Sequence, residues 1–580
     1  MIHLAFSDLI VDCGESRAKG GRLASLGASL RPLLAALVAV TSIAFAQAPQ
    51  KPAAEEPRFE IKRFVFEGAT LIPREQLEAA TRQFTGPGRT FGDVQRVLET
   101  IERTYSDAGY SAVQVVLPEQ ELERGEIRFQ ITEAKIGRVI VEGNKFFEEA
   151  NIRASVPSLV AGQSPNIDRI ARNLRVANEN PAKQVTVLLR SGQEEATVDA
   201  VVRVTDEERK RYSVTVDNTG NALTGRLRTG FGFQNANANG FDDVLTLQYV
   251  TAPYADHLKP SGEADRLQPI PSRKVTILGA GYRVPLYGLG DAVDFSVGYS
   301  NVNSGTVAGL FNITGRGVIL GARYTRNFDR IGDYEHRLAA SVDYRSYENK
   351  GIRPAGGATV QLIPDIVVHP VTLLYSGLWR AQDSETGFSL GVSRNFPGGN
   401  DGRGQDFCAS RSSTVSGHFE CADGRYTIWR WALNHNRALP ADWQARFAVN
   451  GQVTDDMLVV GEQFGLGGAD SVRGFADREV TNDRGYRATV ELYTPDFGGW
   501  TGLSGARARG VAFVDWGNVQ RNRPGSGEVH GQSIASTGVG LRFSRGNNLS
   551  FRVDAGRVIN EGGQQTKGDS RVHFSFSYIF

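Results

Sequence analysis

Beyond Phe45 the sequence has no apolar run approaching the roughly 20 residues that a membrane-spanning helix requires. A helical membrane protein is therefore excluded for the body of the chain. Cysteine is scarce, with three in 580 residues, which excludes a scaffold built on disulfides. An excess of one charge is lacking too. Lys and Arg number 65 against 64 Asp and Glu, a net +1, so no nucleic-acid partner is expected. A G-x-x-x-x-G-K-[ST] loop is missing, and no nucleotide is expected. G-x-S-x-G and H-E-x-x-H are missing as well, and the eight histidines are scattered. No enzyme activity, cofactor or metal is expected. The carboxylate pairs Asp242/Asp243 and Asp455/Asp456 read as solvated charge at loop edges, and His573 as a polar lining residue. A mean hydropathy of −0.28 still suits a β-barrel in a membrane, whose strands alternate apolar and polar and average out.

What is present begins with an export signal. Arg17, Lys19, Arg22 and Arg31 precede the apolar run Leu33–Phe45, and Ala44-Phe45-Ala46 fits the small-x-small cleavage rule. Residues 1–46 are read as signal peptide and 47–57 as a Pro/Ala/Glu linker. The stretch before Arg31 is long for a signal, so the true start codon is expected downstream of Met1. Cys13 would leave with the signal. Cys408 and Cys421 then remain as a candidate disulfide, with two free thiols as the other reading.

A pattern follows that occurs twice. Phe64-Val65-Phe66-Glu67-Gly68 recurs as Val139-Ile140-Val141-Glu142-Gly143, each a strand ending at a glycine turn. In the first copy Pro73 opens a helix with Leu77, Ala80, Thr81 and Phe84 inward. A second helix places Val94, Val97, Leu98, Ile101 and Tyr105 on one face and ends at Gly109. Two strands complete a β-α-α-β-β module over 58–133. The second copy spans 134–207, its second helix marked by Ile167, Ile170, Ala171 and Leu174.

From about Arg211, alternation of period two takes over. Tyr212, Val214 and Val216 alternate with Ser213, Thr215 and Asp217. Val572, Phe574, Phe576, Tyr578 and Phe580 alternate with His573, Ser575 and Ser577. Apolar residues outside and small or polar ones inside are what lipid and a watery lumen demand. Residues 208–580 are thus read as a transmembrane antiparallel β-barrel of about 16 strands. Short turns such as Tyr287–Gly290 and Arg545–Asn548 alternate with long connections: Pro253–Pro271, Asn349–Pro364, Pro397–Gly424 and Asp455–Asp483. The modules precede the first strand and so lie on the short-turn, periplasmic side. A soluble β-sandwich array or propeller would need blade-like repeats, and none is seen.

The long connection 455–483 holds Gly467-Gly468-Ala469-Asp470-Ser471-Val472-Arg473-Gly474-Phe475. Phe513-Val514-Asp515-Trp516-Gly517 follows, with Phe513, Asp515 and Gly517 on one strand face. Arg473 is a fixed positive fork suited to a carboxylate, and Asp515 is the partner to test. Gly467, Gly468 and Gly474 permit a tight backbone path.

Val472-Arg473-Gly474-Phe475 after Gly467-Gly468, Phe513-x-Asp515-x-Gly517, and Leu117-Pro118-Glu119-Gln120 with Gly125 resemble the motifs of the TpsB transporters of two-partner secretion. These are the haemolysin secretion/activation proteins of the Omp85 superfamily. The resemblance covers nearly the whole mature chain. It implies two α+β POTRA domains ahead of the barrel, with Pro118, Glu119, Gln120 and Gly125 as the POTRA signature. It also implies a loop latched by Arg473 to Asp515, and a terminal strand, Phe576, Tyr578 and Phe580, read by the barrel assembly machinery. The implied function is export of an unfolded periplasmic partner exoprotein, adhesin or haemolysin in type, through a barrel set in outer-membrane lipid. Some members also carry an N-terminal helix that plugs the pore. Here Gln47–Pro57 is proline-rich and too short for one, so the loop holding Arg473 is expected to be the main obstruction. Two other readings stay open: an assembly factor that inserts barrels, expected to have more POTRA domains and a weak seam, and a passive porin.

Overall fold

The computed structural model describes residues 57–121, 125–220, 226–252, 275–302, 305–307, 311–313, 316–348, 364–415 and 417–580. The expected signal peptide and most of the linker lie outside these residues, as do the whole connection Pro253–Pro271 and most of Asn349–Pro364. No helix among the described residues is long and apolar enough to cross a membrane. The chain divides into two compact units. The smaller comprises residues to Thr104 together with Gln114–Thr132, and the larger runs essentially from Glu133 to Phe580, with Tyr105–Val113.

The smaller unit is built on a three-stranded sheet. Strand Arg63–Glu67 lies parallel to Glu126–Glu133, and Val113–Val116 completes it. Helices Arg74–Thr81 and Phe91–Asp107 supply the apolar cover. Phe64, Leu77, Val97, Ile101, Ile127 and Phe129 are buried, the positions that helical and strand periodicity require. Pro73 takes the N-cap rather than the first helical turn. A short pair, Phe59–Ile61 with Gly86–Arg89, is added to the expected element order.

In the larger unit the second copy repeats this plan. Strand Lys135–Glu142 runs parallel to Thr197–Asp206, which pairs antiparallel with Lys183–Ser191. Helices Glu149–Ser155 and Ile167–Ala177 pack on them, and Phe147, Ile152, Ile170, Val185 and Val202 lie at the core. Gly68 and Gly143 end equivalent strands with φ of 85° and 90°. A Cβ there would sit 2.2 Å from the Ile131 carbonyl oxygen and 2.4 Å from that of Val204. The repeated glycine thus answers the same close approach twice.

The barrel closes with 16 strands. They are β1 Lys210–Asp217, β2 Arg228–Asn235, β3 Val244–Thr251, β4 Ile277–Leu286, β5 Asp291–Ser300, β6 Arg316–Asn327, β7 Tyr334–Glu348 and β8 Ile366–Arg380, interrupted at His369. The series continues with β9 Ser384–Asn395, β10 Thr427–Ala438, β11 Gln444–Val453, β12 Arg484–Tyr493, β13 Ala506–Gln520, β14 Gly531–Arg545, β15 Leu549–Asn560 and β16 Ser570–Ile579. Alternation sorts the faces as the sequence implies. Phe295, Val297, Leu320, Val342, Val514, Val539 and Phe576 are exposed outside, while Glu491, Asp515, Asp554 and His573 are buried inside. The seam pairs β16 with β1 from Asp217–Ser575 to Ser213–Ile579. Tyr212 and Phe580 extend it by exchanging backbone hydrogen bonds of 2.8 and 2.9 Å. Phe580 also stacks on Tyr212 and Tyr578, both at 5.9 Å between centroids.

Candidate functional site

The connection between β11 and β12 folds inward rather than out into solvent. Its ends form a small hairpin, Phe464–Leu466 with Val480–Asn482. Phe464, Leu466, Val472, Phe475 and Val480 pack with the inward residues Val519, Ile534 and Val558. The loop therefore carries an apolar core of its own, formed against the β13–β15 wall. Gly467, Gly468 and Gly474 adopt φ of 106°, 104° and 95°, values that a side chain strains.

Arg473 lies at the inner tip and is 2% exposed. Its Nε and Nη2 each donate to a different oxygen of Asp515 at 2.7 Å, and its backbone N–H donates to the same carboxylate at 3.0 Å. Nη1 donates to Glu491 at 2.7 Å and lies 3.5 Å from Asp554. The guanidinium carbon stands 3.4 Å from the centroid of the Phe513 ring. A planar fork meeting one carboxylate on two oxygens, with an aromatic face beneath, is the arrangement arginine makes and lysine does not. Burial disfavours the charge on Arg473, but the hydrogen bonds to Asp515 and the charges of Asp515, Glu491 and Asp554 outweigh it and raise its pKa above the ordinary value.

The cluster extends along the wall. Arg446 pairs with Glu491 at 3.1 Å, and Arg542 and Arg552 pair with Asp554 at 2.8 and 2.7 Å. Arg552 also reaches loop residue Asp470 at 2.7 Å. The Gly474 N–H donates to His573 Nε2 at 3.1 Å, which requires that nitrogen to be unprotonated. His573 is thus inward, as expected, but it is covered by the loop instead of lining open water. Gly556 makes the approach feasible, since a Cβ there would lie 2.7 Å from Gly474 N and 2.8 Å from the Arg473 carbonyl carbon. Gly517 similarly leaves room for Leu466, which a Cβ would meet at 2.6 Å.

A second ionic cluster holds the outer part of the loop. Glu462, 2% exposed, accepts from Arg345 at 2.9 Å, Arg430 at 3.4 Å and the Tyr347 hydroxyl at 2.7 Å. Burial alone would raise the Glu462 pKa, but Arg345 and Arg430 overcome it and hold it at about 2.

Other sequence-derived residues have structural places. Gln120 bridges both backbone groups of Arg128, accepting its N–H at 2.8 Å and donating to its carbonyl at 2.9 Å. Gly125 turns at φ 69°, and its carbonyl accepts from Lys62 N at 2.8 Å. Pro118 accepts from Gln120, and Glu119 is exposed. Gln120 and Gly125 therefore contribute to closing the first module's sheet. Cys408 and Cys421 are joined in a disulfide. Phe576, Tyr578 and Phe580 face outward at the seam.

The reading of Asp242 and Asp243 as solvated is corrected. Both are buried. Asp242 takes Lys183 Nζ of the second module and the Tyr287 hydroxyl, each at 2.5 Å, and Asp243 takes the Tyr282 hydroxyl at 2.8 Å. Of the other pair, Asp455 is exposed, whereas Asp456 accepts the Thr427 N–H at 2.8 Å. Around Lys183 the second module is fastened to barrel turns and to Arg283 of β4. Asn180 donates to the Ala236 carbonyl at 2.7 Å and Asn173 to that of Tyr287 at 2.7 Å, Arg172 pairs with Asp329 at 2.8 Å, and Glu179 pairs with Arg283. Sequence patterning gives no signal for this joint, because periodicity shows which face of an element a residue occupies and not which distant segment that face meets. Glu491 and Asp554 were missed for a related reason: alternation shows that each points inward but not which strand positions meet.

Two segments match family models. Residues 382–543 match the haemolysin secretion/activation protein ShlB/FhaC/HecB, and residues 59–134 match the POTRA domain of ShlB type. The heme/hemopexin transporter protein HuxB of Haemophilus influenzae is 22% identical over 497 residues, 84% of this chain and 81% of HuxB. The outer membrane transporter CdiB of Dickeya dadantii is 22% identical over 450 residues, 76% of this chain and 73% of its own. The solved structure of CdiB from Escherichia coli has the same fold, with a TM-score of 0.71 at 17% identity over 92% of this chain and 93% of that one.

Proposed function

We propose that the chain is an outer-membrane β-barrel transporter of the haemolysin secretion/activation type, with POTRA structure in the periplasm, and that it exports an unfolded partner exoprotein to the cell surface. The observation that carries this reading is the inward fold of 455–483. A long external loop is fastened at mid-barrel by a buried arginine between carboxylates, an arrangement suited to an obstruction that is held and then released. A charge-assisted two-point bond is strong when formed, and each partner is solvated readily once water enters.

The cargo would meet the POTRA modules first. Backbone pairing to an exposed strand edge gives affinity without demanding one sequence, as a chain still unfolded requires. Inside the barrel the polar inward face offers hydrogen-bonding groups throughout. Folding of the cargo outside buries apolar area and makes return unfavourable, which supplies direction without a nucleotide. The Phe576–Phe580 strand would serve the assembly machinery before the seam closes. We assign no catalytic step, since the buried carboxylates of the lumen cluster are engaged by arginines. The continuous seam and the pair of small modules favour a transporter over an assembly factor.

The test compares culture medium, cell surface and outer membrane in wild-type and deletion strains by quantitative proteomics. Loss of one large exoprotein with other barrels unchanged is the expected result. A broad fall in outer-membrane barrels would favour an assembly factor, and no change would favour a passive pore.

A further inference from the structure

We propose that Arg411 and Asp483 form a second fastening of the lumen loop, at its outer mouth, and that the Cys408–Cys421 disulfide is what presents Arg411 to it. This deepens the transporter reading and rests on it in one respect: the loop 455–483 is taken as the segment that must yield for export.

Asp483 is the last loop residue, directly before β12, and is fully buried. Its carboxylate receives both Arg411 Nη groups, the second at 2.7 Å, together with Leu458 N–H at 3.0 Å and Asn522 N–H at 2.7 Å. Gln463 Nε2 adds a longer contact at 3.4 Å. Arg411 does more than neutralise it. Nη1 also donates to the Leu458 carbonyl at 2.8 Å and Nη2 to the Asn522 carbonyl at 3.3 Å. One guanidinium therefore joins the beginning of the loop, its end, and the neighbouring connection between β13 and β14.

Arg411 belongs to none of these segments. It comes from the connection between β9 and β10, where helix Gly404–Ser410 is followed by the hairpin Ser412–Val415 and His418–Cys421. Arg411 N–H donates to Phe407 O at 3.1 Å, and Ala422 N–H to Arg411 O at 2.9 Å. The residue thus sits inside the loop that the disulfide closes. Phe407 is seated in an apolar cluster with Tyr426, Ile428, Met457 and Leu458. The cross-link removes chain entropy that free ends would have to lose before Arg411 could be held in place.

Arg473 is gripped by the barrel wall. Arg411 instead reaches the loop from a neighbouring surface connection, so no ladder bond between barrel strands must break to free it. The two fastenings hold the same loop at different depths. Releasing either one loosens the obstruction and lets ions leak, but both must yield, and the surface module must move with the loop, for a chain to pass. Arg411 is a positioning residue for the loop, distinct from those at its tip.

The test uses the purified full-length protein in planar bilayers, with dithiothreitol on the extracellular side. The reagent delivers two electrons and two protons to Cys408–Cys421, yielding two thiols and its own cyclic disulfide. A several-fold rise in wild-type conductance is expected. Arg411→Ala and Asp483→Asn should start at the raised level and respond no further to reductant, while Arg411→Lys should restore part of the block. Heat-modifiable migration on gels checks barrel assembly. Should the charge variants fail to assemble, the Cys408→Ser/Cys421→Ser double variant and reduction of the wild-type protein decide the matter. Wild-type conductance indifferent to reductant, with Arg411→Ala closed and Arg473→Ala open, would overturn the clasp and leave the transporter reading intact. Conversely, a reductant-opened channel from a gene whose deletion spares every exoprotein would sink the transporter reading while the clasp stood.

Discussion

Arg473 and Asp515 are joined by two side-chain hydrogen bonds of 2.7 Å, although Arg473 belongs to an external connection and Asp515 to the inner wall of β13. Both are at most 2% exposed, so the pair persists only while the loop excludes water. Removing one partner of such a buried pair leaves the other unmatched, typically at about 3–5 kcal/mol.

Arg473→Ala should therefore free the loop while the barrel still assembles, because no ladder bond is lost. Export is expected to fall at least tenfold and bilayer conductance to rise. Arg473→Lys should rescue little, since an ammonium cannot span both Asp515 oxygens and stack on Phe513. Adding Asp515→Asn to Arg473→Ala should recover loop protection against protease, because a stranded carboxylate is removed. Normal export by Arg473→Ala at normal protein level would rule out the latch.

Gly556→Ala tests the same latch without touching charge. The new methyl meets backbone on the loop at 2.7 and 2.8 Å, and backbone cannot swing aside as a side chain can. Conductance should match that of Arg473→Ala, with barrel assembly unchanged. A closed wild-type conductance in Gly556→Ala would show that the tip approaches less tightly than described.

Glu462 sets an acid limit. Its pKa of about 2 lies below the ordinary 4.5. A depressed carboxylate stabilises above its ordinary value and loses that contribution as pH falls through the depressed one. Conductance should thus hold steady from neutral pH down to about 5 and rise only as pH approaches roughly 2–3. Glu462→Gln should raise conductance at neutral pH and weaken the acid response. Opening of the wild type near pH 6 would assign the sensitivity elsewhere.

Lys183 and Asp242 should behave as a unit. Lys183 also donates to Asn151 at 3.2 Å and lies 5.0 Å from the Phe147 ring centroid. Lys183→Met or Asp242→Asn alone leaves a buried group unmatched, so the second module should become protease-sensitive from the periplasmic side. The double variant should be more resistant than either single one. Equal sensitivity in all three would show that the pair is not coupled.

The sequence by itself determined what local chemistry can encode. Period-two alternation around Tyr212 and Val572 dictated a wall with lipid on one side and water on the other, because side chains on a strand point to opposite faces in turn. Helical spacing at Val94–Tyr105 and the repeated Glu-Gly turns dictated the modules. Gly467, Gly468, Arg473 and Asp515 stood out because glycines mark positive φ and an arginine requires a partner. Only the tertiary structure decided which inward residues share a depth. That depends on strand register and closure, which pair β12 with β13 and β16 with β1, and no single strand records its neighbour's offset. Glu491, Asp554 and His573 converge on the loop for that reason. Asp242 and Asp483, charged residues in connections, are buried because distant segments bring Lys183 and Arg411 to them. Burying a charge is tolerable only beside its partner, and it is the fold that supplies the partner.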